Sequence, residues 1–232
     1  YFPVENVIEG LFKLVNSLYG LKVKLKKTKD VWHEDVRLYE IYDKNNTLRG
    51  KFYFDLYARQ NKRGGAWMDE CIQRREKLNG KIQSPVAFIT CNSSPPTKKN
   101  PAFFTHYDVE TLFHEFGHGL QHMLTTVNYA GISGISGVEW DAVELPSQFM
   151  ENWCWEKDVL DTFAFHFETK KKLPDNLFKK LLATKNYNTG LALLRQIEFS
   201  LFDFLLHMND KDHKIKLAEE ILKNVRKETA LL

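Results

Sequence analysis

The stretch Thr111-Leu112-Phe113-His114-Glu115-Phe116-Gly117-His118-Gly119-Leu120-Gln121-His122-Met123-Leu124 contains the pattern H-E-x-x-H once, and its reading decides the fold. On a helix, His114 and His118 lie about 40° apart around the axis, so both imidazoles leave one face at successive turns. Two neutral imidazoles on a rigid helix supply half of a tetrahedral zinc shell. Glu115 leaves the axis about 100° from His114, beside such a metal rather than on it. There it can take a proton from water. With 8 His in the chain, random order produces the pattern in roughly one sequence in fifty. The helix is written in Leu112, Phe113, Phe116, Leu120, Met123 and Leu124, with Thr105 or Asp108 as its N-cap. Two histidines and a glutamate inside so apolar a helix are costly to bury without a partner such as a metal.

Working outward, Val4 to Tyr19 repeats its apolar residues at helical spacing and Gly20 follows as a stop. After a basic connector, Val36–Tyr42 and Leu48–Tyr57 alternate as strands around Asp43-Lys44-Asn45-Asn46, which predicts a hairpin. Ala58–Gly65 reads as a loop. Its Arg59, Lys62 and Arg63 are either solvated, the commoner outcome, or available to a substrate carboxylate. Ser84–Asn92 has strand length and composition, and sequence leaves open whether it is interior or presents an edge to an extended peptide. The prolines of Asn92–Pro101 demand a loop.

Downstream, Gly131-Ile132-Ser133-Gly134-Ile135-Ser136-Gly137 reads as a mobile loop beside the site or a plain connector. Asp141–Leu160 predicts a second helix, capped by Asp141 with Pro146 in its early turns. Asn176–Leu182, Leu191–Met208 and Ile215–Val225 continue as a helical bundle. His207 and His213 stand outside any ligand spacing and read as structural or surface residues. The expected fold is mainly α with a small β-sheet, an α+β class, forming one region over residues 1–232 with no internal boundary.

Composition bounds the function. With 43% hydrophobic and 27% charged residues, the chain reads as an ordinary soluble globular protein. Net charge +3 is too small to argue for nucleic acid, and the lysine runs at 22–27 and 170–172 read as solvated faces. No apolar run approaches the roughly 18 residues of a membrane span, and no signal-peptide layout opens the chain. Cys71, Cys91 and Cys154 share no metal or disulfide spacing, which suits a reducing, cytoplasmic setting with each thiol buried or half-buried. The first residue is Tyr1, so the chain reads as a processed product or, the favoured reading, an excerpt of something longer.

A catalytic zinc needs a third protein ligand and an open fourth position. Glu139, Asp141, Glu144 and Glu151 are the downstream candidates. Glu144, expected one turn into the second helix, is favoured by geometry. Glu151 lies about two turns further on the same face and is better suited to supporting a ligand. His122 is either such a support or a satisfied core histidine.

Phe113-His114-Glu115-Phe116-Gly117-His118-Gly119-Leu120-Gln121-His122, followed by Glu144-Leu145-Pro146-Ser147-Gln148-Phe149-Met150-Glu151-Asn152-Trp153, resembles the thimet oligopeptidase family of zinc peptidases. Tyr53–Arg59, Lys62–Asp69 and Pro85–Asn92 are similar to that family as well. The resemblance implies a zincin-like catalytic region in which His114, His118 and Glu144 bind one zinc and Glu115 is the general base. It implies an endopeptidase acting on short peptides; a monomer is expected, and charge and hydropathy leave neither nucleic acid nor membrane as partner. It also implies a longer protein, with a helical region before Tyr1 and a segment after Leu232 whose tyrosines assist the reaction. Loss of one such hydrogen-bond donor commonly costs about 10²–10³ in rate, so an inert zinc-binding fragment is one alternative expectation. A zinc exopeptidase is the other, and it would need Arg59 or Arg63 to capture a free terminus.

Overall fold

The structure, a computed structural model, describes residues 1–208 and 215–230, so His213 lies outside the described residues. The chain divides into two units, Tyr1–Pro174 and Asp175–Leu232.

The first unit begins with helix α1 (Val4–Tyr19), which ends where Gly20 turns left-handed. Strands β1 (Lys22–Lys26), β2 (Arg37–Tyr42), β3 (Leu48–Tyr57), β4 (Trp67–Ile72), the short pair β5 (Arg75–Glu76) and β6 (Ile82–Gln83), and β7 (Val86–Ser93) follow. Then come helices α2 (His106–Leu124), α3 (Leu145–Glu151) and α4 (Lys157–Leu160). The main sheet has the order β1-β2-β3-β7-β4. Its β1/β2, β2/β3 and β4/β7 pairs are antiparallel and β3/β7 is parallel. The predicted hairpin is β2 and β3, with Tyr39 opposite Phe52.

Alternation places Phe52 and Phe54 on one face of β3, where Phe12 of α1 and Phe116 of α2 pack against them. Both phenylalanines of β3 are buried, as are Ile41 and Ile89 on the neighbouring strands. This aromatic core holds α2 against the centre of the sheet. Helix α2 starts at a capping box in which the Thr105 hydroxyl accepts from the Asp108 amide while the Asp108 carboxylate accepts from the Thr105 amide. Both predicted cap candidates therefore serve.

Several expectations need correction. The basic connector contains β1, an edge strand in which Lys22, Lys24 and Lys26 alternate with Val23 and Leu25, and lysines on an edge discourage pairing with another chain. Of the two readings left open for Ser84–Asn92 the interior one holds, because β7 sits between β3 and β4. The edge beside α2 is β4, which sequence reading passed over. The predicted Asp141–Leu160 helix is broken into α3, a 3₁₀ turn at Asn152–Trp155, and α4. Pro146 falls in the first turn of α3, where its missing amide is harmless, so Glu144 is the N-cap residue rather than one turn inside. Cys91 and Cys154 are buried but Cys71 is exposed. Burial pushes the Cys91 thiol up to about 12, which leaves it unreactive.

The second unit consists of α5 (Asp175–Thr184), α6 (Thr189–His207) and α7 (Ile215–Thr229), as the periodicity predicts. Within it, the buried Glu198 carboxylate of α6 receives Arg195 at 2.6 Å and Arg226 of α7 at 2.9 Å. His207 is a surface residue beside Asp203. Among the described residues no helix is long and apolar enough to cross a membrane.

Candidate metal centre

Helix α2 turns its apolar side to the sheet and leaves His114 and His118 on the opposite side, their rings 4.9 Å apart. Glu144 closes the constellation. Its Oε2 stands 3.2 Å from Nε2 of His114 and 3.2 Å from Nε2 of His118. One donor atom from each of the three lies within 4.8 Å of the other two. Zinc bonds of about 2.0–2.1 Å to donors in a tetrahedral shell put neighbouring donors about 3.3 Å apart. Both carboxylate-to-imidazole spacings are close to that value, so the donor set fits such an ion in number and chemistry and in these two separations. Glu139 and Asp141, the other upstream candidates, do not join the group among the described residues.

The surrounding groups prepare the donors. Nδ1 of His114 lies 2.5 Å from Glu151 Oε1. A carboxylate there accepts the Nδ1 proton, leaving the Nε2 lone pair for a metal and making the ring more basic. Glu151 thus has the supporting position expected of it. His118 has no such help: its Nδ1 is buried without a partner among the described residues. Burial, with the neighbouring His114, holds the His118 pKa below its usual value against the pull of Glu144. A neutral ring is the form a metal needs. Burial would raise the Glu144 carboxyl, but the Ser147 hydroxyl at 2.7 Å and the two imidazoles outweigh it and keep the pKa low.

Glu115 points toward β4 and is 7% exposed. Burial raises its pKa, opposed by His114 and by a hydrogen bond from the Met68 backbone. An adjoining cleft of about 390 Å³ is lined by Ala66, Tyr107, Glu110, Thr111, His114, Glu115 and Glu151. The cleft is open to solvent along the first half of α2 and the start of β4.

Glu144 reaches the helix because α2 and α3 touch backbone to backbone at Gly117. A Cβ there would stand 2.5 Å from the Pro146 carbonyl oxygen and 2.6 Å from Ser147 Cα. Neither atom can yield without moving Glu144. Gly117→Ala is therefore expected to weaken metal binding about tenfold or more, read by competition with a chromogenic chelator. An unchanged affinity would mean that α3 slides without carrying Glu144 along.

His122 is a core histidine. It is fully buried, with Nε2 3.0 Å from the Ile72 carbonyl and Nδ1 3.5 Å from the Ile135 amide. It ties the glycine loop to β4. Gly134 in that loop has φ +69°, and a Cβ would meet His122 Nδ1 at 2.5 Å. Ser136 extends the tie through Glu70 at 2.6 Å and Gln73 at 2.9 Å. The loop expected to be mobile is thus fastened at both serines, Ser133 being fully buried with its hydroxyl on the Val127 carbonyl.

In the basic loop Arg59 and Lys62 are engaged, while Arg63 is exposed. Arg59 makes a bidentate pair with Asp55 at 2.6 and 2.8 Å, and Lys62 is buried against the same carboxylate. Arg63 lies over the Trp67 ring.

Comparison with known proteins adds to this geometry. Residues 1–232 match the sequence profile of peptidase family M3. The chain is 55% identical over 232 residues to oligopeptidase A of Escherichia coli, covering 100% of this chain and 34% of the relative. It is 45% identical over 212 residues to the probable cytosolic oligopeptidase A of Arabidopsis thaliana, covering 89% and 30%. It is 34% identical over 221 residues to dipeptidyl carboxypeptidase of Escherichia coli, covering 95% and 32%. The chain spans about a third of the length of these curated relatives.

Proposed function

This chain belongs to peptidase family M3, and from that premise we propose that it is the catalytic region of a zinc-dependent oligopeptidase cutting internal bonds of short peptides. The observation that carries the reading is the convergence of His114 Nε2, His118 Nε2 and Glu144 Oε2, with the buried Glu115 beside them. The arrangement is zincin-like: two ligands and the base on one helix, and the third ligand on the next. Zinc held by these three side chains supplies polarisation of the scissile carbonyl and acidification of water.

The residues of the chain do the rest. Glu115 takes a proton from the attacking water at its carboxylate and returns it to the leaving amine nitrogen. A raised pKa makes it a stronger base at neutral pH than an exposed glutamate. Glu151 holds the His114 ring in one orientation and tautomer. The outer edge of β4, which starts beside the cleft, pairs with an extended substrate in the manner of an added strand. Capture of a free substrate carboxylate would need an unengaged guanidinium: Arg59 is committed to Asp55, whereas Arg63 is exposed with only the Trp67 ring beside it, and digestion of a peptide blocked at both ends separates an internal cut from removal of a terminal residue. We assign a monomer in the cytoplasm; the three unpaired thiols and the cytosolic naming of the Arabidopsis relative support the compartment.

Elemental analysis of the purified chain beside His118→Ala and Glu144→Ala tests the ligand set, with a peptide blocked at both ends digested in the same tubes. About one zinc per chain is expected, lost in both variants, together with cleavage of the blocked peptide by the parent alone. Full retention of zinc by Glu144→Ala would remove that residue from the ligand set. Zinc uptake with no cleavage would leave an inert metal-binding region.

A further inference from the structure

The crossover between β3 and β4 explains how Glu115 comes to have its backbone partner. β3 is parallel and β4 antiparallel to β7, which lies between them, so residues 58–66 pass over the C-terminal end of β7. That strap is fastened from beneath at two points. At the first, Lys62 Nζ donates to the Asp55 carbonyl at 2.9 Å, the Asp55 carboxylate at 2.8 Å, the Tyr57 carbonyl at 2.8 Å and the Cys91 carbonyl at 2.6 Å. Its side chain is 6% exposed, so the ammonium is a buried pin joining β3, β7 and the strap. At the second, Asn92, one residue beyond Cys91 on β7, donates through Nδ2 to the Arg63 carbonyl at 2.8 Å and the Gly65 carbonyl at 2.6 Å.

The strap ends where the chemistry begins. Ala66 lines the cleft, Trp67 pairs with Thr90 of β7, and the Met68 backbone faces the Glu115 carboxylate. Between Gly65, held by Asn92, and Met68 there are only two residues. We infer that Lys62 and Asn92 are positioning residues that fix where β4 starts, and through it where the Met68 amide meets Glu115 and where Ala66 bounds the cleft. The inference rests on the peptidase reading for the role of Glu115, but the fastening of the strap does not. Neither residue touches the reacting atoms. A fixed carboxylate matters because misplacement of a catalytic group by about 1 Å can cost on the order of 10² in rate.

Asn92 is the residue to change, since its amide works near the surface while Lys62 is embedded in the fold. Asn92→Ala removes the donors, and Asn92→Asp keeps the shape while replacing the donating amide with an oxygen that repels both carbonyls. In both variants kcat is expected to fall about 10- to 100-fold with KM within about twofold and zinc content unchanged. Hydrogen exchange read by mass spectrometry over residues 63–69 is expected to quicken in both. Exchange equal to the parent's in both variants overturns the inference, as does a lowered thermal midpoint with kcat intact. A parent chain that cleaves no peptide removes the peptidase reading alone, because exchange still reports whether Asn92 holds the start of β4.

Discussion

Glu115→Gln is expected to lower turnover of a blocked peptide by about 10²–10⁴-fold while zinc content stays at the parent level. The substitution keeps the size of the side chain and an oxygen able to accept from the Met68 amide, and it removes the capacity to take up a proton. Glu115 is not one of the three converging donors, so the metal has no reason to leave. The loss corresponds to about 3–5 kcal/mol of transition-state stabilisation, the share that proton transfer by a positioned carboxylate supplies. Burial raises the Glu115 pKa, and an ordinary solvated glutamate in its place would be a weaker base. Turnover and zinc should be read on one preparation. A variant that retains activity within about threefold of the parent would show that another group moves the proton, and one that loses both activity and zinc would show that Glu115 belongs to the ligand set.

Lys62→Met is expected to destabilise the first unit by about 3–5 kcal/mol, the cost of removing one partner of a buried ion pair. Met preserves most of the apolar stem, and the change deletes the ammonium that serves four acceptors at 2.6–2.9 Å. Asp55 keeps Arg59 and the Trp32 indole, but three backbone carbonyls lose their donor in a site closed to water. For a unit of this size the midpoint of thermal unfolding should drop by about 6–20 °C. Acid titration provides a second reading. Burial alone would raise the Asp55 pKa, but Arg59, Lys62 and Trp32 outweigh it and hold it at about 2. The folded-state value lies below the unfolded one of about 3.9, so the stability this carboxylate adds is present above about pH 4 and is lost as pH falls toward 2. In Lys62→Met the folded value moves up toward the unfolded one, and the fall in stability between pH 4 and 2 becomes shallower. Calorimetry across that range measures both effects. A midpoint within about 2 °C of the parent would mean that water replaces the ammonium.

The helical parts were legible because their signals are local. Val4–Tyr19 carries its periodicity and its glycine stop within a single segment, and the structure ends α1 at that glycine. Thr105 and Asp108 are three residues apart and cap α2 by contacts confined to that turn. The α2 histidine pair is equally local, since four residues on a helix decide which side chains share a face. The broken second helix shows where local reading ran out. Apolar spacing runs on through Asp141–Leu160, but the choice between continuing an α-helix and tightening into a 3₁₀ turn at Asn152 depends on packing against other segments. β4 was missed because Trp67–Ile72 has charged residues at Asp69 and Glu70 and little alternation; it becomes a strand because β7 offers a backbone edge in register.

The basic loop is the clearest divergence. Arg59, Lys62 and Arg63 look alike as charges on a glycine-containing loop, and sequence offers no way to rank solvation against substrate binding. What separates them is Asp55, whose carboxylate takes Lys62 into the interior and pairs with a half-buried Arg59, while Arg63 stays exposed. The same holds for His122, which shares the α2 ligand face by spacing but is claimed by the Ile72 carbonyl and the Ile135 amide.

By itself the sequence determined every helix but the broken one at Asp141–Leu160, the hairpin, and the two histidines and glutamate of the α2 motif, because those depend on residues within one or two turns of each other. Only the tertiary structure decided which acidic residue stands beside the two histidines, which strand is the edge beside the cleft, and which charges are fastened inside. Each of those is set by which distant segments approach: Glu144 by the glycine contact of α2 with α3, β4 by the open side of β7, and Lys62 by three carbonyls that come together when β3 and β7 pair.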